Sequence, residues 1–292
     1  MTVDTRAGHI AMLLFSVLVA GAFALGALAA NDISPFAYNA VRFWIAAVII
    51  GCVVALRGGV PRAAYDAPWR YFVLAGVFTI YFVLMLEGLK TAPSVSAAAL
   101  FTLTPLLTAV FGWILLRQGV TARIAFALTV GALGAIWVIF RADLQAILQF
   151  DVGQGETIYF IGCISHAIYT PLVRLLNRGE SALVFTFGTL TAGAVILTAF
   201  GLPAIIATPW MALSGTVWVA IIYTAIFASA ATFTLLQFAS LRLPSSKVMA
   251  YTYLTPAWVI VWDMALGGVA PPVAVGLGVA VTCIALLLLL RD

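Results

Sequence analysis

Charge is what this chain has least of. Only 8% of its 292 residues are Asp, Glu, Lys or Arg, against about 25% in an ordinary soluble domain. A soluble protein of this length needs polar surface to meet water, and too little is present here. Cysteine is scarce too. Cys52, Cys163 and Cys283 each lie inside an apolar run with no CxxC spacing, which excludes a disulfide framework and a thiolate metal site. The net charge of +4 comes from basic residues scattered singly, so no basic patch for a nucleic acid is formed. Neither GxSxG nor HExxH occurs, which removes the common signatures of an intramembrane hydrolase. No metal or cofactor is expected.

What is present is hydrophobic sequence, 64% of the chain, gathered in long runs. Ten runs have the length of a bilayer-spanning helix, at about 9–30, 34–56, 68–90, 93–116, 121–140, 154–177, 181–201, 213–241, 244–267 and 271–290. The first follows Arg6 and ends in Ala27-Leu28-Ala29, as a secretion signal does. Its roughly 20 apolar residues exceed the 7–15 of a signal core, so it is read as a retained helix. Very short connections, such as Thr91-Ala92, make neighbouring spans antiparallel.

Lys and Arg set the direction. With the N-terminus inside, the inner segments carry Arg6, Arg57, Arg62, Arg70, Arg117, Arg123, Arg174, Arg178, Arg242 and Arg291, and the outer ones only Lys90 and Arg141. The positive-inside rule then places both termini in the cytoplasm. The longest outer loop, near 141–156, carries Asp143, Asp151 and Glu156.

The chain also repeats itself. Pro93-Ser94 and Leu103-Thr104-Pro105 of the fourth span recur as Pro244-Ser245 and Leu254-Thr255-Pro256 of the ninth, at a constant offset of 151. The second copy comes five spans after the first, and five is odd, so the second half enters the membrane from the opposite face. The expected architecture is an all-α membrane protein of ten transmembrane helices in two inverted five-helix repeats, residues 1–145 and 146–292. Inverted repeats characterise transporters, in which exchanging the conformations of two equivalent halves exchanges inward- and outward-facing states. Pro105 and Pro256 cannot donate to the carbonyls of Phe101 and Thr252, so both helices are expected to break near the bilayer middle. Thr104 and Thr255 stand beside the breaks, positioned to satisfy the loosened backbone.

Ile33-Ser34-Pro35, followed by Arg42-Phe43 and Ala46, resembles the start of the second helix in the drug/metabolite transporter superfamily, EamA type. The stretch from Ser94 through Pro105 to Trp113 looks similar to that family's fourth helix, and the ninth span to its ninth. Within the superfamily the chain looks most like the YddG-type amino-acid exporters. That resemblance implies outward movement of aromatic and other neutral amino acids through a cavity between helices 1, 3, 4, 6, 8 and 9. Many members carry Glu thirteen residues after each central proline, where this chain has Gln118 and Val269.

Intramembrane charges are costly, about 2.5–3.5 kcal/mol each on insertion scales. Arg42 and Glu87 both lie towards the outer ends of their spans and are expected to pair with each other, the alternative being a substrate contact. Asp263 stands a turn inside the outer end of the ninth span. Lys247, a turn inside the inner end, either snorkels to the interface or meets a substrate carboxylate. Helical spacing groups His166, Tyr169, Thr170 and Asn177 before a kink expected at Pro171; Tyr223, Phe227, Thr234 and Gln237; and Lys247, Tyr251, Thr255, Trp258 and Trp262. Tyr81 lies near mid-membrane. The candidate substrate-binding set is Tyr81, His166, Tyr169, Gln237, Lys247, Tyr251 and Trp258, a lining of rings and hydroxyls suited to an aromatic or apolar side chain with a polar end. Ala127, Gly131 and Ala135, and Gly276 and Ala280, are spaced for close helix packing.

The expected protein is therefore an exporter of small neutral metabolites, aromatic and other neutral amino acids first. It works by facilitated diffusion, as a monomer in the cell inner (plasma) membrane. The rivals are an exporter of drugs or of phosphorylated or nucleotide-linked metabolites, a proton-coupled antiporter using Glu87 or Asp263, and a non-transporting membrane scaffold.

Overall fold

The computed structural model describes residues 3–149 and 152–290. Asp151 and Arg291, both counted in the charge balance, lie outside the described residues. Apolar runs under turn signals become helices: α1 (Val3–Ala29), α2 (Pro35–Leu56) and α3 (Trp69–Gly88), then α4 (Ser94–Phe101) and α5 (Thr104–Leu116), which are one span broken in the middle. They are followed by α6 (Ala122–Ile139), a short α7 (Leu144–Gln149) in the expected outer loop, α8 (Gln154–Leu176) and α9 (Ala182–Ala207). Next, α10 (Gly215–Ala225) and α11 (Thr232–Ser240) are joined by a π-helical stretch, Ile226–Ala231. Then α12 (Ser245–Ala250) and α13 (Thr255–Ala265) are joined by a 3-10 turn, Tyr251–Leu254, and α14 (Val273–Leu290) completes the bundle.

Local chemistry sets the helix starts. Pro35 opens α2 in the first turn, where its missing N–H is not needed. Ser181 and Ser214 accept hydrogen bonds from the Val184 and Val217 N–H groups at the starts of α9 and α10. Nine helical segments among the described residues are long and apolar enough to cross a membrane, with α4–α5 and α10–α11 each counted as one. The segment expected as the ninth span is the exception, because the 3-10 turn divides it.

The bundle is built largely from pairings between helices distant in sequence. The α2 helix packs on α9, α3 on α8 and α9, and α6 on α14, while α1 lies against α10, α11 and α13. The α4 helix meets α13, and α5 meets α8 and α12. Large apolar side chains such as Leu13, Val48, Ile80, Phe126, Leu133 and Leu287 are exposed on the outside, as lipid rather than water requires.

Two expected faces differ. The α14 helix approaches α6 through Gly278, whose carbonyl a Cβ at Gly134 would strike, whereas Gly276 and Ala280 are exposed. Four-residue spacing finds a small-residue stripe but not which side of the helix its neighbour occupies. On α10–α11, Phe227 is exposed while Gln237 is fully buried. The extra residue of a π turn rotates all that follows by about 100°, so Tyr223 and Phe227 do not share a face with Gln237.

Candidate functional site

The buried centre is aromatic. Phe78 and Tyr81 of α3, Phe101 of α4, Tyr159, His166 and Tyr169 of α8, and Phe233 of α11 are all shut off from the exterior. Phe78 stacks on Tyr169 with ring centres 4.0 Å apart and 13° between planes. His166 is boxed by Tyr81 at 4.5 Å, Phe101 at 5.0 Å and Phe78 at 5.1 Å, all edge-on, a favoured aromatic geometry. Polar atoms run through the cluster. Tyr159 donates its hydroxyl proton to Tyr81 at 3.2 Å, and the Gln237 amide donates to the Tyr169 hydroxyl at 2.9 Å. The Nδ1 of His166, the Thr170 hydroxyl and the Oε1 of Gln237 are buried with no hydrogen-bond partner. Native interiors rarely leave such atoms unpaired, so the centre carries unused hydrogen-bonding capacity.

The fold brings four of the singled-out residues together: Tyr81, His166, Tyr169 and Gln237. Phe78, Phe101 and Phe233 complete that cluster without having been singled out, although Phe78 lies one helical turn before Tyr81. The other three stand on α12, α13 and the 3-10 turn between them. Tyr251 shares a 3.0 Å hydrogen bond with His9 of α1, a residue the spacing argument did not find. Trp258 is partly buried and its indole N–H has no partner. Lys247 is partly buried near the start of α12.

The prolines act largely as their spacing requires. Pro105 stands in the first turn of α5, after a two-residue interruption at Thr102-Leu103. The Phe101 carbonyl receives the Thr104 hydroxyl proton at 2.6 Å, as expected. In the second half Pro256 starts α13 after the 3-10 turn, but Thr255 does not play the matching part, since its buried hydroxyl has no partner. The α8 helix runs unbroken through Pro171.

The expected ion pair between Arg42 and Glu87 is not made. Glu87 pairs with Lys90 of its own chain turn at 2.7 Å, both partly exposed. That i, i+3 spacing was legible in the sequence. Arg42 turns inward instead, donating from Nε to the Ser229 hydroxyl and from Nη2 to the Ala228 carbonyl, each at 2.7 Å. Its guanidinium lies 4.1 Å from the centre of the Phe82 ring. Glu156, expected in an acidic outer loop, is buried at the start of α8, where it accepts from Ser96 at 3.0 Å.

Side-chain contacts close both ends of the crossing between α4–α5 and α12–α13. The Ser94 hydroxyl, at the start of α4, donates to the Asp263 carboxylate near the end of α13 at 2.5 Å. At the other end, the Ser245 N–H opening α12 donates to the Gln118 side-chain oxygen at 3.2 Å. A further clamp is the pair of Arg70 with Glu180, at 2.5 Å and 1% and 5% exposed. Burial alone would raise the Glu180 carboxyl, but the Arg70 guanidinium and the Arg178 N–H outweigh it and hold it below the usual carboxylate range.

Comparison with known proteins gives this arrangement a family. The EamA-like transporter family model matches twice, at residues 6–140 and 154–291. The chain is 24% identical over 261 residues to the uncharacterized transporter YyaM of Bacillus subtilis, covering 89% of this chain and 86% of that one. It is 21% identical over 262 residues to an uncharacterized transporter of Archaeoglobus fulgidus, covering 87% of each. A crystal structure superposes over 98% of this chain and 95% of its own with a TM-score of 0.72 at 20% identity, a likeness of fold. The protein is thus a multi-pass membrane transporter rather than an enzyme, and it belongs to the EamA-like transporter family.

Proposed function

We propose that the protein exports small neutral metabolites, aromatic and other neutral amino acids foremost, by alternating access between two inverted five-helix halves, residues 1–145 and 146–292. On this reading the chain crosses the cell inner membrane ten times, α12–α13 forming the ninth pass, with both termini in the cytoplasm. Transport is facilitated diffusion. The two matches of one family model support the two-half reading, as do the packing partners. Exchanging each span with the one five later turns the α3–α8 contact into that of α10–α11 with α1, and the α5–α8 contact into that of α13 with α1.

The observation that carries the substrate class is the buried cluster of Tyr81, His166, Tyr169 and Gln237, with unpaired polar atoms among the rings. Rings accept an apolar or aromatic side chain, and the unpaired donors and acceptors meet its polar end. Trp258, Tyr251 and Lys247 continue the path along the ninth pass, and Pro105 and Pro256 let the walls bend.

Counterflow tests this. Proteoliposomes are preloaded with unlabelled amino acids, and radiolabelled phenylalanine, threonine and methionine are added outside. Accumulation above empty liposomes is the expected result. Its absence with demonstrably folded protein overturns the amino-acid assignment and moves the search to drugs and phosphorylated metabolites. Uptake that follows an imposed pH gradient contradicts facilitated diffusion.

A further inference from the structure

Among the described residues Arg42 is a buried cation with no paired carboxylate. It is 2% exposed, and among the described residues no carboxylate pairs with it, whereas Arg70 and Lys90 each have one. Every partner it has is neutral: the Ser229 hydroxyl, the Ala228 carbonyl, and the Asn39 side-chain oxygen at 3.5 Å. A guanidinium carries five N–H donors and keeps its proton in proteins. Three of the five are engaged, the last at the limit of a hydrogen bond. Two donors and the full positive charge remain.

The surroundings are built rather than incidental. Ala228 and Ser229 belong to the π-helical stretch Ile226–Ala231, and π turns inside helices recur at functional sites. Asn39, one turn before Arg42, is itself fixed by donating to the Pro35 and Phe82 carbonyls at 2.9 and 3.1 Å. Arg42 also lines a water-sized cavity of about 10 Å³ with Gly26, Tyr38, Asn39, Phe82 and Met85. Tyr38, on its wall, is held by a 2.9 Å hydrogen bond to Thr224. One face of the guanidinium is covered by Phe82. That ring also contacts Tyr81 at 4.7 Å, Phe78 at 4.9 Å and Phe233 at 5.6 Å. Phe82 therefore joins the lone cation to the aromatic centre.

We propose that Arg42 is a carboxylate-binding group, whose guanidinium takes the acid end of the transported metabolite while the apolar end lies along the rings beyond Phe82. This rests on the amino-acid reading above and deepens it. A single negative charge matches the single unneutralised positive one. A phosphate monoester, nearly doubly charged, calls for several clustered cations, and no second Lys or Arg lines this cavity. The water-sized space admits a carboxylate only when the halves move apart, so the site is completed during the transport cycle.

The test separates recognition from a purely structural tie between α2 and the π stretch. Purified full-length protein in detergent is unfolded thermally in the presence of phenylacetate, phenylacetamide or phenethylamine at matched ionic strength. Phenylacetate should raise the Tm in a concentration-dependent way, and the amide and amine should leave it unchanged. In Arg42→Lys, which keeps the charge but loses the planar fork, the same shift should need at least tenfold more phenylacetate. Equal shifts from acid and amide overturn the proposal. So does no shift from the acid up to its solubility, or an undiminished shift in Arg42→Lys. If that variant does not fold, the acid-against-amide contrast in the wild-type protein decides alone. Counterflow that fails while acid discrimination persists sinks the amino-acid reading and leaves the carboxylate site standing. Counterflow that succeeds without discrimination does the reverse.

Discussion

The broken helices α4–α5 and α12–α13 begin alike and differ in what they leave unsatisfied. Both open on Pro-Ser and both restart at Thr-Pro after an interruption of the helix. In the first half the interruption is two residues long and its hydroxyls are engaged, Thr102 with the Ala99 carbonyl and Thr104 with that of Phe101, each at 2.6 Å. In the second half the interruption is a 3-10 turn, and Tyr253, Thr255 and Trp258 keep buried donors with no partner. The same backbone break is thus a sealed bend in one half and an unsealed polar wall in the other. Repeats fix where a helix breaks, whereas the side chains around the break decide what it can do. We propose that the second wall is the one that meets substrate.

The largest effect that would sharpen this contrast comes from bulk. Gly131 of α6 lets the Tyr253 ring lie against its helix, where a Cβ would strike the ring. Gly131→Val should destabilise the protein by about 1–3 kcal/mol through overpacking, read as a lower Tm in detergent. Next come the two ends of the crossing. Asp263→Ala removes a charged acceptor from Ser94 and should cost about 1.5 kcal/mol, while Gln118→Ala removes a neutral acceptor from the Ser245 N–H and should cost less than about 1 kcal/mol. Equal losses would erase the asymmetry between the ends.

A matched pair of threonines gives a smaller and cleaner difference. Thr104→Val strands the Phe101 carbonyl and should cost about 1 kcal/mol, whereas Thr255→Val loses no hydrogen bond and should be neutral or slightly stabilising. The last difference is one of pH, at the Arg70–Glu180 clamp. Because Glu180 is held below the ordinary carboxylate range, the stability it contributes is complete above that range and is lost as pH falls through its folded-state value. The Tm gap between wild type and Glu180→Gln should be constant from pH 8 to pH 6 and shrink only under stronger acid.

Much of the fold was legible before the structure. Long apolar runs in a charge-poor chain have one stable solution in a bilayer, and the paired prolines marked both breaks. What escaped is rotation about helix axes. Neither proline nor glycine lies within the π stretch Ile226–Ala231, so nothing in the sequence warned that Tyr223 and Gln237 would part. Similar depth in the sequence pairs Arg42 with Glu87, yet depth does not say which way a side chain points, and the two find other partners. Four of the seven candidate residues, Tyr81, His166, Tyr169 and Gln237, came together because residues at mid-span on core-facing sides converge in a bundle of this kind. His9 escaped because it sits at the start of a span, where a polar residue invites no question.

The most direct test of the unsealed wall is counterflow kinetics on a Thr255→Val, Trp258→Phe double variant beside Thr104→Val. The double variant should keep its Tm and raise the KM at least tenfold, the equivalent of about 1.4 kcal/mol of substrate contact, while Thr104→Val should lower the Tm and leave the KM alone. A wild-type KM in the double variant, or an equal rise in Thr104→Val, would contradict the account.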